Sequence, residues 1–599
     1  MLWNHSEETR MRILGYYDDH NAGSAIIEDG KILAAVEEER LSRIKLHNGN
    51  EDGEPILSLE MVLKMTNSKP ENIDKIAIGI MPAAEMQAYI HHDLFKVQKN
   101  RKWILASLLS KSITWDQYWL WYPYFYNQFR INRAKKLLAK VGLGDKPIEF
   151  VDHHRSHAAA AYFSSGRSRA LIVTLDGQGD GQCGQVWLGE EGRLTHLKSV
   201  SSYHSPGLFY NFITWYLGYK PMRHEGKITG LAAHGQYEHV AEHFEKMFGL
   251  ENGEFRYYMA EAQYQHAYPH RTNYNKFRDA LPKAFEAFTP ADVAAGVQVL
   301  TERAVAGYVD QFLQKTGPID VVMAGGVFAN VRVNQAVAEL PNARSVFIFP
   351  AMGDNGIPAG AALYTFYKSM GWPEIHTMPR LDDVYLGPSY TDAEIEAELK
   401  KAGLQYTWHD NIAPVIAELL TRSAVVARFD GRMEYGPRAL GNRTILYQST
   451  DKTVNDWLNH KLKRTEFMPF APVTLAEDME ENYEHIAKNE YPARFMTITF
   501  NCSKSMQQRC PAVVHVDNTA RPQLIDEKTN KVYYHIVKEY KKLTGLSSVI
   551  NTSFNMHEEP IVCTPGDAIR AFTQGYLEYL AISNFLVTSP TPEKARSRE

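Results

Sequence analysis

One strand pattern occurs twice in this chain, and that repetition constrains the fold more than any other feature. Ile13-Leu14-Gly15 leads into the polar loop Asp18-Asp19-His20-Asn21, then Ser24–Ile27, the Asp29-Gly30 pair and Ile32–Val36. Apolar runs bounded by acidic or glycine turns read as strands, and Asp-Gly between two of them signals a type I′ hairpin. The second copy runs from Ala170–Leu175 through Asp176-Gly177-Gln178-Gly179-Asp180, returns over Gln185–Leu188 and turns at Glu191-Gly192 into Arg193–Leu197. The copies share architecture, not residue identity. They imply a duplicated α/β lobe with both acidic loops facing one cleft, although two unrelated hairpins would give the same local pattern.

A third apolar strand, Asp320–Ala324, ends in Gly325-Gly326-Val327, and Val346–Phe349 leads to Gly353-Asp354-Asn355-Gly356 before an Ala- and Gly-rich helix. A glycine loop opening a helix offers backbone N–H groups to an anion. Gly371–Tyr390 is rich in Pro, Gly and charge and reads as a boundary. The resulting division is a first domain over 1–380, a second over 385–588 and a frayed tail over 589–599. A length of 599 residues with 44% hydrophobic and 23% charged residues suits a folded multi-unit chain, and the net charge of −5 gives no whole-protein argument for nucleic acid. Four scattered cysteines, no signal-like leader and no long apolar run are the pattern of a reduced, cytoplasmic protein without a transmembrane segment.

One stretch departs from that average. Between Lys96 and Lys140 there are ten Lys/Arg and one acid, Asp116, around an aromatic centre from Trp115 to Phe129. It reads as a helical insertion over about 90–145. Such a segment can lie on an anionic membrane surface or cover an amphiphilic substrate. It can equally pack its aromatics on the first lobe or on a second copy in a homodimer.

Two constellations carry chemistry. In Asp152-His153-His154-Arg155-Ser156-His157, Asp152 is a fair N-cap, and a helix places His153 and His157 at i and i+4, about 6 Å apart. Two imidazoles so placed can chelate a transition metal, although two surface histidines give the same spacing. Asp354 is the candidate third ligand, and a His, His, Asp set suits Fe(II), or Zn(II) or Mn(II). The second constellation, Gly431-Arg432-Met433-Glu434-Tyr435-Gly436-Pro437-Arg438-Ala439-Leu440-Gly441-Asn442-Arg443, holds three arginines among glycines. Arginine forks suit phosphate and carboxylate groups. Lys463, Arg464, Arg521 and Asn551-Thr552-Ser553-Phe554-Asn555 extend such a site.

With these strings the chain resembles the NodU/CmcH family of O-carbamoyltransferases over nearly its whole length. The shared strings are Asp-Asp-His at 18–20, Glu-Glu-Glu-Arg at 37–40, His-His-Arg-Ser-His at 153–157 and Asp-Gly-Gln-Gly at 176–179. They continue with Gly-Leu-Ala-Ala-His-Gly at 230–235, Gly-Gly-Val at 325–327 and Glu-Tyr-Gly-Pro-Arg-Ala-Leu-Gly-Asn-Arg at 434–443. Pro-Phe-Ala-Pro at 469–472 and Asn-Thr-Ser-Phe-Asn at 551–555 complete the set.

The resemblance implies an α/β fold with a duplicated actin-like (ASKHA) N-terminal domain, similar to the tRNA threonylcarbamoyl-transferase fold, and a YrdC-like α/β C-terminal domain. It implies that carbamoyl phosphate and ATP, the latter with Mg(II), yield carbamoyl-adenylate in the C-terminal domain. The N-terminal domain then transfers the carbamoyl group to a hydroxyl of a secondary metabolite or glycan, releasing AMP. By the same analogy Arg438, Lys463, Arg521 and Ser553 line the anion pocket, with Arg443 close by and Gly325, Gly326 and Asn551 in substrate or cofactor binding. His153, His157 and Asp354 match the metal ligands. His20 is the candidate general base, Asp176 orients the acceptor, and Lys45 is an acceptor-site candidate. Many relatives carry an arginine where this chain has Met468, so Arg464 is expected to take a carbamoyl-phosphate role in its place. Two other readings compete: a threonylcarbamoyl-type tRNA-modifying enzyme and a non-catalytic actin-like scaffold.

Overall fold

The computed structural model describes residues 10–82, 115–258, 285–376, 378–463 and 470–598, with side chains in the helix Trp115–Lys140 described from residue 126. The first sheet holds β1 (Arg12–Tyr17), β2 (Gly23–Glu28), β3 (Lys31–Glu37), β4 (Lys75–Ile78) and β5 (Ile148–Phe150) in the order β3-β2-β1-β4-β5. Its three-stranded meander is antiparallel, and β1-β4-β5 run parallel. Asp29 and Gly30 both adopt positive φ, 50° and 77°, as the type I′ turn requires.

The second sheet repeats this topology. It contains β6 (Arg169–Gly179), β7 (Gln182–Glu190), β8 (Arg193–Ser201), β11 (Ile319–Ala324) and β12 (Ala343–Ile348), ordered β8-β7-β6-β11-β12 with the same mix of senses. The small hairpin β9 (Phe248–Glu251) and β10 (Glu254–Tyr257) lies outside it. The expected lobe duplication is therefore present strand for strand, with β1 and β6 as equivalent central strands.

A helix follows the last strand of each lobe, His153–Phe163 after β5 and Ile357–Ser369 after β12. The two equivalent helices pack on each other between the sheets. Their alanines (Ala158–Ala161, Ala359, Ala361, Ala362) are buried against Ile13 and Ile27 of one sheet and Ile172 and Val322 of the other. Small residues let the backbones approach: a Cβ on Gly360 would lie 1.9 Å from the Ser156 carbonyl oxygen.

The acidic loop of the first lobe meets in part the expectation that both face the cleft: His20 and Asn21 do, and Asp18 does not. Asp18 is fully buried and turned away, ion-paired to Arg130 (3.0 Å) and Arg133 (2.6 Å). Both arginines come from the helix Trp115–Lys140, whose Ile131, Ala134, Leu137 and Leu138 enter the first lobe's core with Leu14, Ile26 and Ile76. Tyr126 donates its hydroxyl to Asp19 at 2.8 Å. The described part of the basic-aromatic segment thus packs on the first lobe, while 96–114 falls outside the described residues.

The C-terminal region forms an eight-stranded mixed sheet from β13 (Tyr406–Trp408), β14 (Val426–Phe429), β15 (Arg443–Tyr447), β16 (Ala471–Leu475), β19 (Gln523–Ile525), β20 (Ser548–Ser553), β21 (Tyr579–Ile582) and β22 (Phe585–Thr588). A separate two-stranded pair comprises β17 (Phe500–Asn501) and β18 (Thr519–Ala520). Alternation along β14 sends Val426 to the face covered by helices Ala413–Thr421 and Lys531–Thr544, and Ala427 and Phe429 to the face covered by Pro565–Gln574. The tail, expected to fray, is docked as far as it is described: Pro592–Arg596 is helical, Ala595 is buried and Arg598 lies over Trp457 at 5.2 Å.

The Glu-Glu-Glu-Arg string clasps the regions together. Glu37 accepts from Gly436 N–H at 2.7 Å and from Asn355 at 3.2 Å, and Arg40 donates to the Gly436 carbonyl at 2.7 Å. Glu38 caps the helix Leu57–Met65, accepting from Leu57 and Ser58 N–H. A run that could have been a solvated charge patch is buried because each carboxylate has a donor.

Candidate active site

Asp152 caps its helix by accepting from Arg155 N–H at 2.7 Å, and this sets the phase that turns His153 and His157 to one side. Their Nε2 atoms meet Asp176 at the end of β6 and Asp354 in the turn before the equivalent helix. His157 Nε2 lies 3.2 Å from Asp176 and 3.6 Å from Asp354; His153 Nε2 lies 3.7 Å and 3.5 Å from the same carboxylates. One donor atom from each of the four residues lies within 4.8 Å of the others. The group sits where the two lobes' equivalent helices begin, so the duplication itself builds it.

Burial works against charge on His153, yet Asp354 and Asp176 outweigh it and push its pKa up to about 9. Burial also opposes charge on Asp176, but the two histidines bring its carboxyl well below the usual range. Nε2 of both histidines and Oδ2 of Asp176 are buried without a hydrogen-bond partner among the described residues. Two imidazole nitrogens and two carboxylates converging on one point are a donor set that fits a divalent transition metal. His154 is different. Burial and its two histidine neighbours hold it neutral, and its ring meets Thr174 and the Gln182 carbonyl, both at 3.2 Å.

The cluster opens into a cleft of about 600 Å³ walled by both lobes and the C-terminal region. His20, Lys45, Asp176, Gly326 and Asp354 line it from the N-terminal side, and Arg438, Arg521, Asn551 and Ser553 from the C-terminal side. Nine of the residues anticipated from sequence thus share one cavity. Gly325 supports the wall behind it with φ 108°, and a Cβ on Gly326 would come 2.9 Å from the Asp176 carboxylate. Asn551 also braces the wall, donating to Ala439 and Gln523. Arg438 has no carboxylate partner among the described residues; its described hydrogen bond goes to the Ala329 carbonyl at 3.3 Å, and burial lowers its pKa to about 10.

Other anticipated residues lie elsewhere. Arg443 is fully buried beneath the loop, with its guanidinium donating to the carbonyls of Asp430, Asn442, Pro388 and Gly431 and lying 3.7 Å over Phe429. It braces the loop instead of facing the cavity, because four carbonyls use its donors. Lys463 is exposed in a left-handed turn, φ 58°, outside the cavity wall. Arg464 and Met468 lie outside the described residues.

Asp176, expected to orient the acceptor, lies both in the cavity wall and in the cluster with His153, His157 and Asp354. Tyr17, whose hydroxyl donates to Asp354 at 3.2 Å, and Asp180, which accepts from His153 N–H at 2.9 Å, were not anticipated. Tyr17 adjoins the first acidic loop and Asp180 closes the second, but nothing local marks the partner of either.

A family model described as Carbamoyltransferase N-terminus matches residues 12–363, and one described as Carbamoyltransferase C-terminus matches 417–589. The nodulation protein NolNO of Sinorhizobium fredii is 31% identical over 96% of this chain and 79% of its own length. An uncharacterised protein of Synechocystis is 31% identical over 98% of this chain and 97% of its own, and nodulation protein U of S. fredii is 26% identical over 91% and 94%. Among solved structures, component A of (R)-2-hydroxyglutaryl-CoA dehydratase from Acidaminococcus fermentans gives a TM-score of 0.33 at 16% identity, covering 60% of this chain and 99% of that one. HypF of T. kodakarensis gives 0.32 at 13%, covering 61% and 48%. The family models and the full-length relatives place this chain in the carbamoyltransferase family, of the NodU/CmcH type, and make it a carbamoyltransferase enzyme.

Proposed function

We propose that the enzyme makes carbamoyl-adenylate from carbamoyl phosphate and ATP against its C-terminal sheet, and transfers the carbamoyl group to an acceptor hydroxyl beside the His/Asp cluster. The observation that carries this reading is the single cleft, walled by Arg438, Arg521 and Ser553 on one side and by His20, Asp176 and Asp354 on the other. For the atoms to balance, carbamoyl phosphate gives its phosphate to water and leaves carbamate. A carbamate oxygen attacks the α-phosphorus of ATP and the bond to pyrophosphate breaks. Arg438, desolvated and without a carboxylate partner among the described residues, neutralises these anions as charge builds; Mg(II) carried on the ATP phosphates would share that neutralisation. The C-terminal sheet is read as YrdC-like and the duplicated lobes as actin-like.

In the second step the acceptor oxygen bonds to the carbamoyl carbon, the bond to the AMP oxygen breaks, and the acceptor proton passes to His20. Lys45 lines the same wall and suits a polar acceptor. His153, His157, Asp176 and Asp354 would hold a divalent transition metal, Fe(II) being the first candidate, which when bound supplies Lewis-acid polarisation and charge neutralisation at the adenylate. The acceptor class is a hydroxyl-bearing metabolite or glycan; the family match favours this over the tRNA-modifying reading. In purified, metal-loaded protein, pyrophosphate release from ATP should require carbamoyl phosphate, and candidate acceptors should gain a carbamoyl mass. Pyrophosphate release indifferent to carbamoyl phosphate overturns the reading.

A further inference from the structure

The inserted helix reaches the His/Asp cluster by two separate routes. On the first, Asn127 donates through Nδ2 to Asp180 Oδ1 at 2.9 Å, and also to the Met81 carbonyl at 2.9 Å. The other Asp180 oxygen accepts from His153 N–H at 2.9 Å and from Met81 N–H at 3.1 Å. Asp180 therefore fixes the first residue of the helix that carries both histidines. On the second route, the Arg130 guanidinium lies 4.9 Å over the Tyr17 ring while pairing with Asp18 at 3.0 Å and Asp19 at 3.2 Å. The Tyr17 hydroxyl then donates to Asp354 Oδ2 at 3.2 Å, leaving Oδ1 as the oxygen nearest both imidazoles.

Asn127 and Arg130 are both buried and lie three residues apart on one helical face, so a single packed surface serves both routes. Between them they fix a histidine from one lobe and a carboxylate from the other.

We propose that Asn127 and Arg130 are positioning residues, through which the inserted helix sets the geometry of the His153/His157/Asp176/Asp354 cluster and hence its affinity for a divalent metal. The proposal rests on reading that cluster as a metal site. It gives the insertion a task distinct from acceptor contact: a shift of this helix loosens the histidine helix and frees Asp354 together.

The test is Co(II) uptake by the full chain, measured by equilibrium dialysis with elemental analysis, so that no turnover is needed. Asn127→Ala removes the first route, and Tyr17→Phe removes one hydroxyl of the second at almost constant volume. Gln128→Ala, on the exposed side of the same helix, is the control. Loss of such outer partners costs metal affinity about 10- to 100-fold. Asn127→Ala is expected within that range and Tyr17→Phe near its lower end, with Gln128→Ala unchanged and unfolding midpoints kept. If Asn127→Ala fails to fold, Asn127→Ser, which shortens the reach to Asp180 while keeping a polar side chain, takes its place beside Tyr17→Phe. Folded Asn127→Ala and Tyr17→Phe proteins that match wild-type Co(II) affinity overturn the positioning role while leaving the metal reading intact. Wild-type protein that takes up no Co(II) overturns the metal reading and this proposal with it.

Discussion

Arg438→Met separates stability from function in a way that a merely structural arginine would not. Arg438 is half-buried in the cavity wall, has no carboxylate partner among the described residues, and has its pKa lowered from 12.5 to about 10 by burial alone. A cation whose folded pKa is depressed destabilises the fold wherever it is charged in both states, so the full cost is present at pH 7 and fades only as pH rises through about 10. A drop of that size corresponds to about 3 kcal/mol, and partial solvent access reduces it to about 1–3 kcal/mol. Methionine keeps the aliphatic bulk without the charge, so the ligand-free variant should be more stable by that amount in urea denaturation. Losing a charged contact to a buried anion costs about 2–4 kcal/mol, or about 30- to 1,000-fold in carbamoyl-phosphate-dependent pyrophosphate release. Saturating carbamoyl phosphate should stabilise wild type by about 2.7 kcal/mol at a hundredfold excess over Kd, and the variant by less than about 1 kcal/mol at the same concentration. A variant that is less stable than wild type, or that releases pyrophosphate within about threefold of it, refutes the reasoning.

Three further outcomes follow from the geometry. His157→Ala should still release pyrophosphate from ATP and carbamoyl phosphate but yield no carbamoylated acceptor, a split visible by running both assays on one preparation. Gly360→Ala should destabilise the chain by about 3 kcal/mol or more, since its Cβ would lie 1.9 Å from the Ser156 carbonyl oxygen; the expected signs are insoluble expression or a lowered urea midpoint. Burial raises the Glu225 carboxyl from 4.5 to about 7, so this group lowers stability as pH climbs between those values. Glu225→Gln should therefore match wild type below pH 4.5 and exceed it by on the order of 1 kcal/mol above pH 7 in denaturation series.

Comparing residues of the same type shows where local sequence stops. Asp18 follows β1 and Asp176 lies late in the equivalent strand β6, yet Asp18 is locked by Arg130 and Arg133 and Asp176 joins the histidines. Arg438 and Arg443 stand five residues apart in one motif. The first lines the cavity; the second spends its donors on four backbone carbonyls. Neither distinction leaves a trace in spacing or composition.

By itself the sequence determined the elements that depend on near neighbours. These include the duplicated strand pattern, the Asp29-Gly30 turn, the Asp152 cap and the i, i+4 histidine pair it sets in phase. Their physics is local: backbone sterics, turn chemistry and a 3.6-residue period. Only the tertiary structure decided which charges meet. Asp354 comes within 3.6 Å of His157 across 197 residues of chain because two equivalent helices pack face to face between the sheets. The +9 segment, conspicuous by its charge, proved in its described part to be a brace, because its arginines found buried carboxylates in the first loop.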